Sequence, residues 1–310
     1  MNKTLTVIGP TASGKTHLSV ILAKELNAEI IGLDSRQIYK ELIIGTAQPT
    51  ILEQDGIPHH LINILSPLKT VSAGSYSSLI RKTVLEIQSR SKIPLICGGA
   101  GLYYRALVNG IFAGSTTDSK IRKRLENEYD NIGPEQMLSK LKKYDPDYAN
   151  GIHPNNKKRI VRALEILEST GRTPSLNFKS QKQSSVPKLN LYTIYLKWDR
   201  STLKERIATR TRAMLKNGWI EEVREIIKKY PSESLHPLDS IGYREIISYL
   251  KGELTLENLE KTITIKTRQF AKRQIQWFKN EKIDIFIDMN NFHTNKIDAI
   301  LNKIKKKYFN

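Results

Sequence analysis

The chain has 310 residues, 39% hydrophobic and 26% charged, a balance that fits one large globular α/β domain or a core domain with a smaller insertion. Fifty Lys and Arg against 31 Asp and Glu leave a formal net charge of +19, which suits a polyanionic partner through counterion release and which a lysine-rich solvated surface would also produce. One cysteine, Cys97, excludes an internal disulfide and a cysteine-built metal cluster, and no apolar run approaches the roughly 18 residues of a membrane span. No basic, apolar leader precedes Gly9, so a cytoplasmic protein without membrane association is expected.

Residues 5–8 form an apolar run that predicts a buried strand. It leads into Gly9, Pro10, Thr11, Ala12, Ser13, Gly14, Lys15 and Thr16, with the spacing G-x-x-x-x-G-K-[ST]. Glycines at 9 and 14 let the backbone curl so that successive N–H groups face a phosphate, and the following helix turns its positive end toward the same anion. Lys15 adds a point charge, and the Thr16 hydroxyl is placed to ligate Mg²⁺. Leu18, Leu22 and Leu26 recur on one face and predict a helix over 16–26. The motif specifies a phosphate and leaves open which one.

A second strand, 29–33, runs into Asp34, Ser35, Arg36 and Gln37; a third, 93–97, runs into the double glycine at 98–99 and Ala100. Between them Leu79, Val84 and Ile87 predict a helix over 75–90. Alternating strands and helices imply a parallel sheet whose ligands bind beyond the carboxyl ends of the strands, so the phosphate loop, Asp34 and the double glycine are expected to converge. Asp34 at such a strand end reads as a proton acceptor or a water-mediated magnesium ligand, and alternatively as a helix cap acting with Ser35. His59 and His60 are adjacent on an extended segment and point to opposite sides, with no carboxylate or cysteine at suitable spacing, so no metal site is expected there.

Beyond residue 115 the texture changes to Lys- and Tyr-rich helical segments, and 179–188 (KSQKQSSVPK) reads as a connector. A strand over 189–196 resumes the sheet, which makes 115–187 a helical insertion between core segments 1–114 and 188–291, with a basic C-terminal helix or tail at 292–310. Residues 201–229 predict a long helix or a pair, followed by further helix to 279 and a last strand at 283–287. Arg206 and Arg210 lie one helical turn apart, where kinases of this fold close arginines over phosphates; a solvated face has the same spacing. In 267–278, Arg268 and Lys272 share a face with Lys279, and Phe270, Trp277 and Phe278 are apolar anchors. A backbone-binding helix and a charged outer face over an aromatic inner one both fit. From 261 to 310 there are 12 basic and 4 acidic residues.

Eight phrases in order, GPTASGKT (9–16), LDSRQIY (33–39), IGTAQPT (44–50), PHHLI (58–62), GGAGLY (98–103), RIVRALEILESTGR (159–172), IGYRE (241–245) and TRQFAKRQIQWF (267–278), resemble the tRNA dimethylallyltransferases, also called tRNA isopentenyltransferases. The resemblance implies a P-loop fold related to nucleotide kinases, with a helical insertion that grips a tRNA anticodon stem-loop. The implied reaction moves a dimethylallyl group from its diphosphate to N6 of the adenosine 3′ of the anticodon, with Mg²⁺ present and the protein expected as a monomer. Asp34 is then the general base. Lys15 and Arg210 act on the departing diphosphate, Gly9 to Thr16 with Arg206 hold it, and Asp34 to Gln37, Ala100, Arg122, Lys158, Arg159, Ile160, Val161 and Arg162 contact the RNA.

Three residues depart from the pattern that the resemblance implies. Ala100 stands where threonine is usual, Asn156 where aspartate is usual, and Gln276 where threonine precedes Trp-Phe. Ala100 lacks a hydroxyl near the reacting groups, so slower turnover or a compensating donor is expected. A P-loop kinase and a non-catalytic RNA-binding paralogue are the competing readings.

Overall fold

The computed structural model describes residues 3–110, 118–182, 188–231, 233, 235–292 and 297–308. Residues 183–187 of the expected connector, and 293–296 and 309–310 of the expected C-terminal segment, lie outside the described residues. The chain forms two compact units, residues 1–108 with 189–310 and residues 109–188.

The first unit is built on β1 (Thr4–Ile8), α1 (Lys15–Leu26), β2 (Ala28–Leu33), α2 (Ile51–Gln54), β3 (His59–His60), α3 (Ala73–Ser89), β4 (Ile93–Gly98) and α4 (Gly101–Asn109). Its six described strands pair in parallel in the order β3-β2-β4-β1-β5-β6, where β5 is Leu191–Lys197 and β6 is Ile285–Asp288. Every residue of β1 and β2 is buried. That burial on both faces is why apolar residues stand at successive positions, Val7 and Ile8 in β1 and Ile30 and Ile31 in β2; Thr4, Thr6 and Glu29 are the polar residues buried among them. Register places Ile8 opposite Gly98, and Gly98 opposite Leu33. The ends of β1, β4 and β2 therefore form one row.

The described remainder of the second unit contains α5 (Ser119–Ile132), α6 (Pro134–Tyr144), α7 (Pro146–Ala149), α8 (Lys157–Thr170) and α9 (Pro174–Lys182). Its core is Leu125, Tyr129, Met137, Leu141, Ile152, Ile160 and Leu164 with their neighbours. Asn156, one of the three departures from the pattern, caps α8 by accepting the Arg159 N–H at 3.3 Å. An amide oxygen serves this purpose as a carboxylate would, apart from the charge.

The first unit continues with α10 (Arg200–Lys216), α11 (Trp219–Lys229), α12 (Tyr243–Leu250), α13 (Leu256–Phe278) and α14 (Ile297–Tyr308). The span 201–229 is a pair of helices because Gly218 sits at φ 96°, a left-handed conformation that ends one helix and begins the next. Three details differ from the sequence expectation. Leu79 is exposed, because α3 buries the stripe Tyr76, Ile80, Val84 and Ile87, which starts from a tyrosine. Phe270 is exposed as well, so Trp277 and the buried Phe278 do the anchoring on α13. His60 does have a carboxylate partner: the Glu29 carboxylate of the neighbouring strand lies 2.7 Å from its Nε2 and also pairs with Arg90. The strand pairing that brings Glu29 to His60 joins residues 31 apart, beyond the reach of local spacing.

Glu222 on α11 holds the segment 43–45. Its carboxylate accepts the N–H groups of Ile43 (2.8 Å), Ile44 (2.6 Å) and Gly45 (3.1 Å) and the Tyr243 hydroxyl (2.7 Å). Hydrogen bonds to a charged group contribute about 1.5–3 kcal/mol each and overlap when they share one acceptor. Glu222→Ala is expected to lower unfolding free energy by about 3 kcal/mol. Urea denaturation followed by tryptophan fluorescence checks this, since all three tryptophans belong to this unit; an unchanged midpoint contradicts it.

Candidate active site

Side chains hold three carbonyls of the loop between β1 and α1. Lys15 Nζ donates to the Pro10 carbonyl at 2.8 Å, Arg206 Nε to Ala12 at 2.9 Å and Trp198 Nε1 to Ser13 at 3.0 Å. Gly14 takes φ 85° at the start of α1, a conformation that a side chain would strain. The first amides of α1 have no intrahelical acceptor, and with the helix dipole behind them they form an anion seat.

Arg206 and Arg210 reach this loop from α10. The Arg206 guanidinium lies 4.4 Å over the Trp198 ring, and Arg210 donates to the Thr11 hydroxyl. The spacing that left a solvated face open thus places both side chains on the phosphate loop. Arg210 and Asp34 both lie close enough to Lys15 to act on its charge, and Asp34 acts on Arg210 as well. Burial holds the Lys15 ammonium well below the ordinary lysine value, at about 8; Arg210 adds to the depression, while Cys97 and Asp34 oppose it. Burial also lowers Arg210 and raises the Cys97 thiol.

A lysine depressed to about 8 carries its charge below that pH and loses it above, whereas a bound diphosphate favours the charged form and raises the value. The affinity for inorganic pyrophosphate, relative to that of Lys15→Arg, is therefore expected to fall as pH rises from about 8 toward 10. Titration calorimetry of both proteins across this range checks it; a constant ratio contradicts it. Without ligand the sign for stability is opposite. The cost of burying the charged amine is fully present below pH 8 and is relieved as pH rises toward the unfolded lysine value.

Asp34 caps no helix. Its Oδ1 accepts the N–H groups of Arg36 (2.8 Å) and Gln37 (3.4 Å) in a turn after β2. Arg36 lies 3.1 Å from His236 Nδ1 and also donates to the Asp239 carbonyl, while the Gln37 side chain donates to the carbonyls of Thr46 and Ala47. Ser35 is half-buried in the same turn. Ala100 follows β4, where its N–H donates to the Leu33 carbonyl and its methyl packs against the apolar core.

The RNA candidates of the second unit divide in two. Lys158 and Arg159 are exposed on the first turn of α8, whereas Ile160 and Val161 are buried in the helical core, which corrects the reading of these two side chains as RNA contacts. Apolar side chains at successive positions of this amphipathic helix lie on its inner face. Arg122 and Arg162 share one partner, the fully buried Glu165: Arg122 donates to its Oε2 at 3.0 and 2.8 Å, and Arg162 lies 2.8 Å from its Oε1. In the first unit Arg268 is half-buried, while Lys272 and Gln276 are exposed. The sequence reading missed Trp198, Gln274 and Glu165. The last two carry a recognisable signal, a polar residue on the buried stripe of an amphipathic helix.

Residues 37–281 match the family model described as IPP transferase. The chain belongs to the IPP transferase family. Among curated members, tRNA dimethylallyltransferase of Bacillus subtilis is 41% identical over 284 residues, covering 91% of this chain and 90% of that protein. Its counterpart from Thermotoga neapolitana is 39% identical over 301 residues, covering 97% of each. The crystal structure of the full-length tRNA isopentenylpyrophosphate transferase from Bacillus halodurans superposes with a TM-score of 0.73 at 37% identity, covering 99% and 97% of the two chains. A eukaryotic dimethylallyltransferase, described as acting on tRNA, superposes with a TM-score of 0.82 at 28% identity, covering 98% of this chain and 78% of that one. The IPP transferase fold is thus a P-loop-like parallel sheet flanked by helices. Among the described residues no helix is long and apolar enough to cross a membrane.

Proposed function

We propose that this protein transfers the dimethylallyl group of dimethylallyl diphosphate to N6 of the adenosine immediately 3′ of the anticodon in tRNA. The observation that carries the reading is the single row formed by the ends of β1, β4 and β2. It sets an anion seat beside a carboxylate, with only the end of β4 between them. An exocyclic adenine amine is a weak nucleophile because its lone pair is delocalised into the ring. The barrier falls chiefly by stabilising what leaves.

In the transfer the bond from the allylic carbon to the diphosphate oxygen breaks as the bond from N6 to that carbon forms. The electron pair of the broken bond goes to the diphosphate, where the α1 amides, Lys15, Arg206 and Arg210 receive the developing charge. Asp34 takes the N6 proton. Magnesium would fit the Thr16 hydroxyl, a hard oxygen donor at the start of α1. The remaining ligands of such an ion would be diphosphate oxygens and water, and it would supply additional charge stabilisation on the leaving group.

The target adenosine must leave its stack to reach Asp34, at a cost of a few kcal/mol offset by contacts made in the site. Lys158, Arg159, Arg122, Arg162, Arg36, Arg268 and Lys272 are the basic residues proposed to hold the RNA, which gives the +19 charge its polyanion. Parallel incubations test the function: one with ATP alone, the other with dimethylallyl diphosphate and an anticodon stem-loop. Alkylated adenosine in the second is expected; its absence with saturating donor contradicts the reading, and ADP in the first would then show cleavage of ATP.

A further inference from the structure

Gln274 lies on α13 with 8% of its surface exposed, and its carboxamide spans two strand-end loops. Its Oε1 accepts the Thr11 N–H at 2.8 Å and its Nε2 donates to the Gly99 carbonyl at 2.9 Å. The two partners fix the orientation of the amide, because an N–H can only donate and a carbonyl can only accept. A Cβ at Gly99 would come within 2.5 Å of that Nε2, so the space a side chain at 99 would need is already filled by the carboxamide. Thr11 is held on its other side by Arg210.

Thr11 belongs to the loop that seats the leaving group. Gly99 follows β4, the strand between that loop and the one bearing Asp34. One neutral side chain therefore links the diphosphate loop to the end of β4, the strand next to the one that ends at Asp34. It does so by occupying the Thr11 amide, and the anion is left to the amides at the start of α1. We infer that Gln274 is a positioning residue which fixes the spacing between the diphosphate loop and the end of β4, so that the allylic carbon and N6 meet in line. This rests on the prenyl-transfer reading.

Two variants test it. Gln274→Met keeps the shape and loses both bonds. Gln274→Glu keeps the acceptor for Thr11 and, when its acid is neutral, can also donate to Gly99. Misplacement of reacting groups by about 1 Å costs on the order of 100-fold in rate. Gln274→Met is therefore expected to lower kcat by about tenfold or more, while its affinity for inorganic pyrophosphate, measured by calorimetry, stays within about threefold of wild type. Gln274→Glu is expected to regain turnover relative to wild type as pH falls from about 8 to 6, and Gln274→Met is not. Lys15, Asp34, Arg206 and Arg210 are common to all three proteins, so their titrations cancel in the ratios. Wild-type kcat in Gln274→Met overturns the inference. So do pH-independent losses in both variants matched by equal losses of pyrophosphate affinity, which would mark a purely structural role. A wild-type protein that transfers no prenyl group overturns the transfer reading and this inference with it.

Discussion

Asp34→Asn is expected to lower kcat by about 10²–10⁴-fold, the range for loss of a positioned general base, with RNA affinity changed little. Asparagine can still accept the Arg36 and Gln37 N–H groups that shape the turn after β2, so the backbone stays in place and the proton acceptor is what disappears. The measurement is single-turnover transfer to an anticodon stem-loop, with RNA binding followed separately by fluorescence anisotropy. Undiminished turnover would remove Asp34 from the chemistry. A parallel collapse of RNA affinity would make it a binding residue instead.

Lys15→Met is expected to act on the other half of the reaction. The lysine sits half-buried at the start of α1, where its charge is costly without an anion, as its depression to about 8 indicates. That placement suits a group whose charge is satisfied only when diphosphate arrives and counts most when the allylic bond breaks. Loss of one preorganised donor to developing charge costs about 10²–10³ in kcat, and pyrophosphate affinity is expected to fall with it. The steady-state rate constant together with a pyrophosphate titration checks both. A variant that retains wild-type turnover would mean that the loop amides and Arg210 suffice.

The part of the site made by local sequence was legible. A strand, two glycines, Lys15 and Thr16 at fixed spacing specify the anion loop, and Asp34 stands out because it is a carboxylate directly after the strand run 29–33. What joins the pieces was not, because it depends on residues far apart in the chain. Gln274 contacts Thr11 across 263 residues and Glu222 contacts Ile44 across 178. Glu222 reads locally as a solvent-facing polar residue of a charged helix, whereas Gln274 and Glu165 carry a local sign of burial but not of their partners. Gln274 shares its face with Ala271 and Phe278, and Glu165 neighbours the buried Val161 and Leu164. In each case a polar group interrupts an apolar stripe, which asks for a buried partner. The same periodicity assigns the side chains of Ile160 and Val161 to the core, where the family resemblance had grouped them with the basic residues beside them.

The proposed transfer pairs a loop that seats the leaving diphosphate with Asp34 as acceptor of the N6 proton. Its most direct test is mass spectrometry of tRNA nucleosides from cells that lack this gene and carry either the wild-type protein or Asp34→Asn. N6-(dimethylallyl)adenosine and nucleosides derived from it are predicted to vanish on deletion, to return with the wild type and to stay absent with the variant. Their persistence after deletion, or full restoration by Asp34→Asn, would contradict the account.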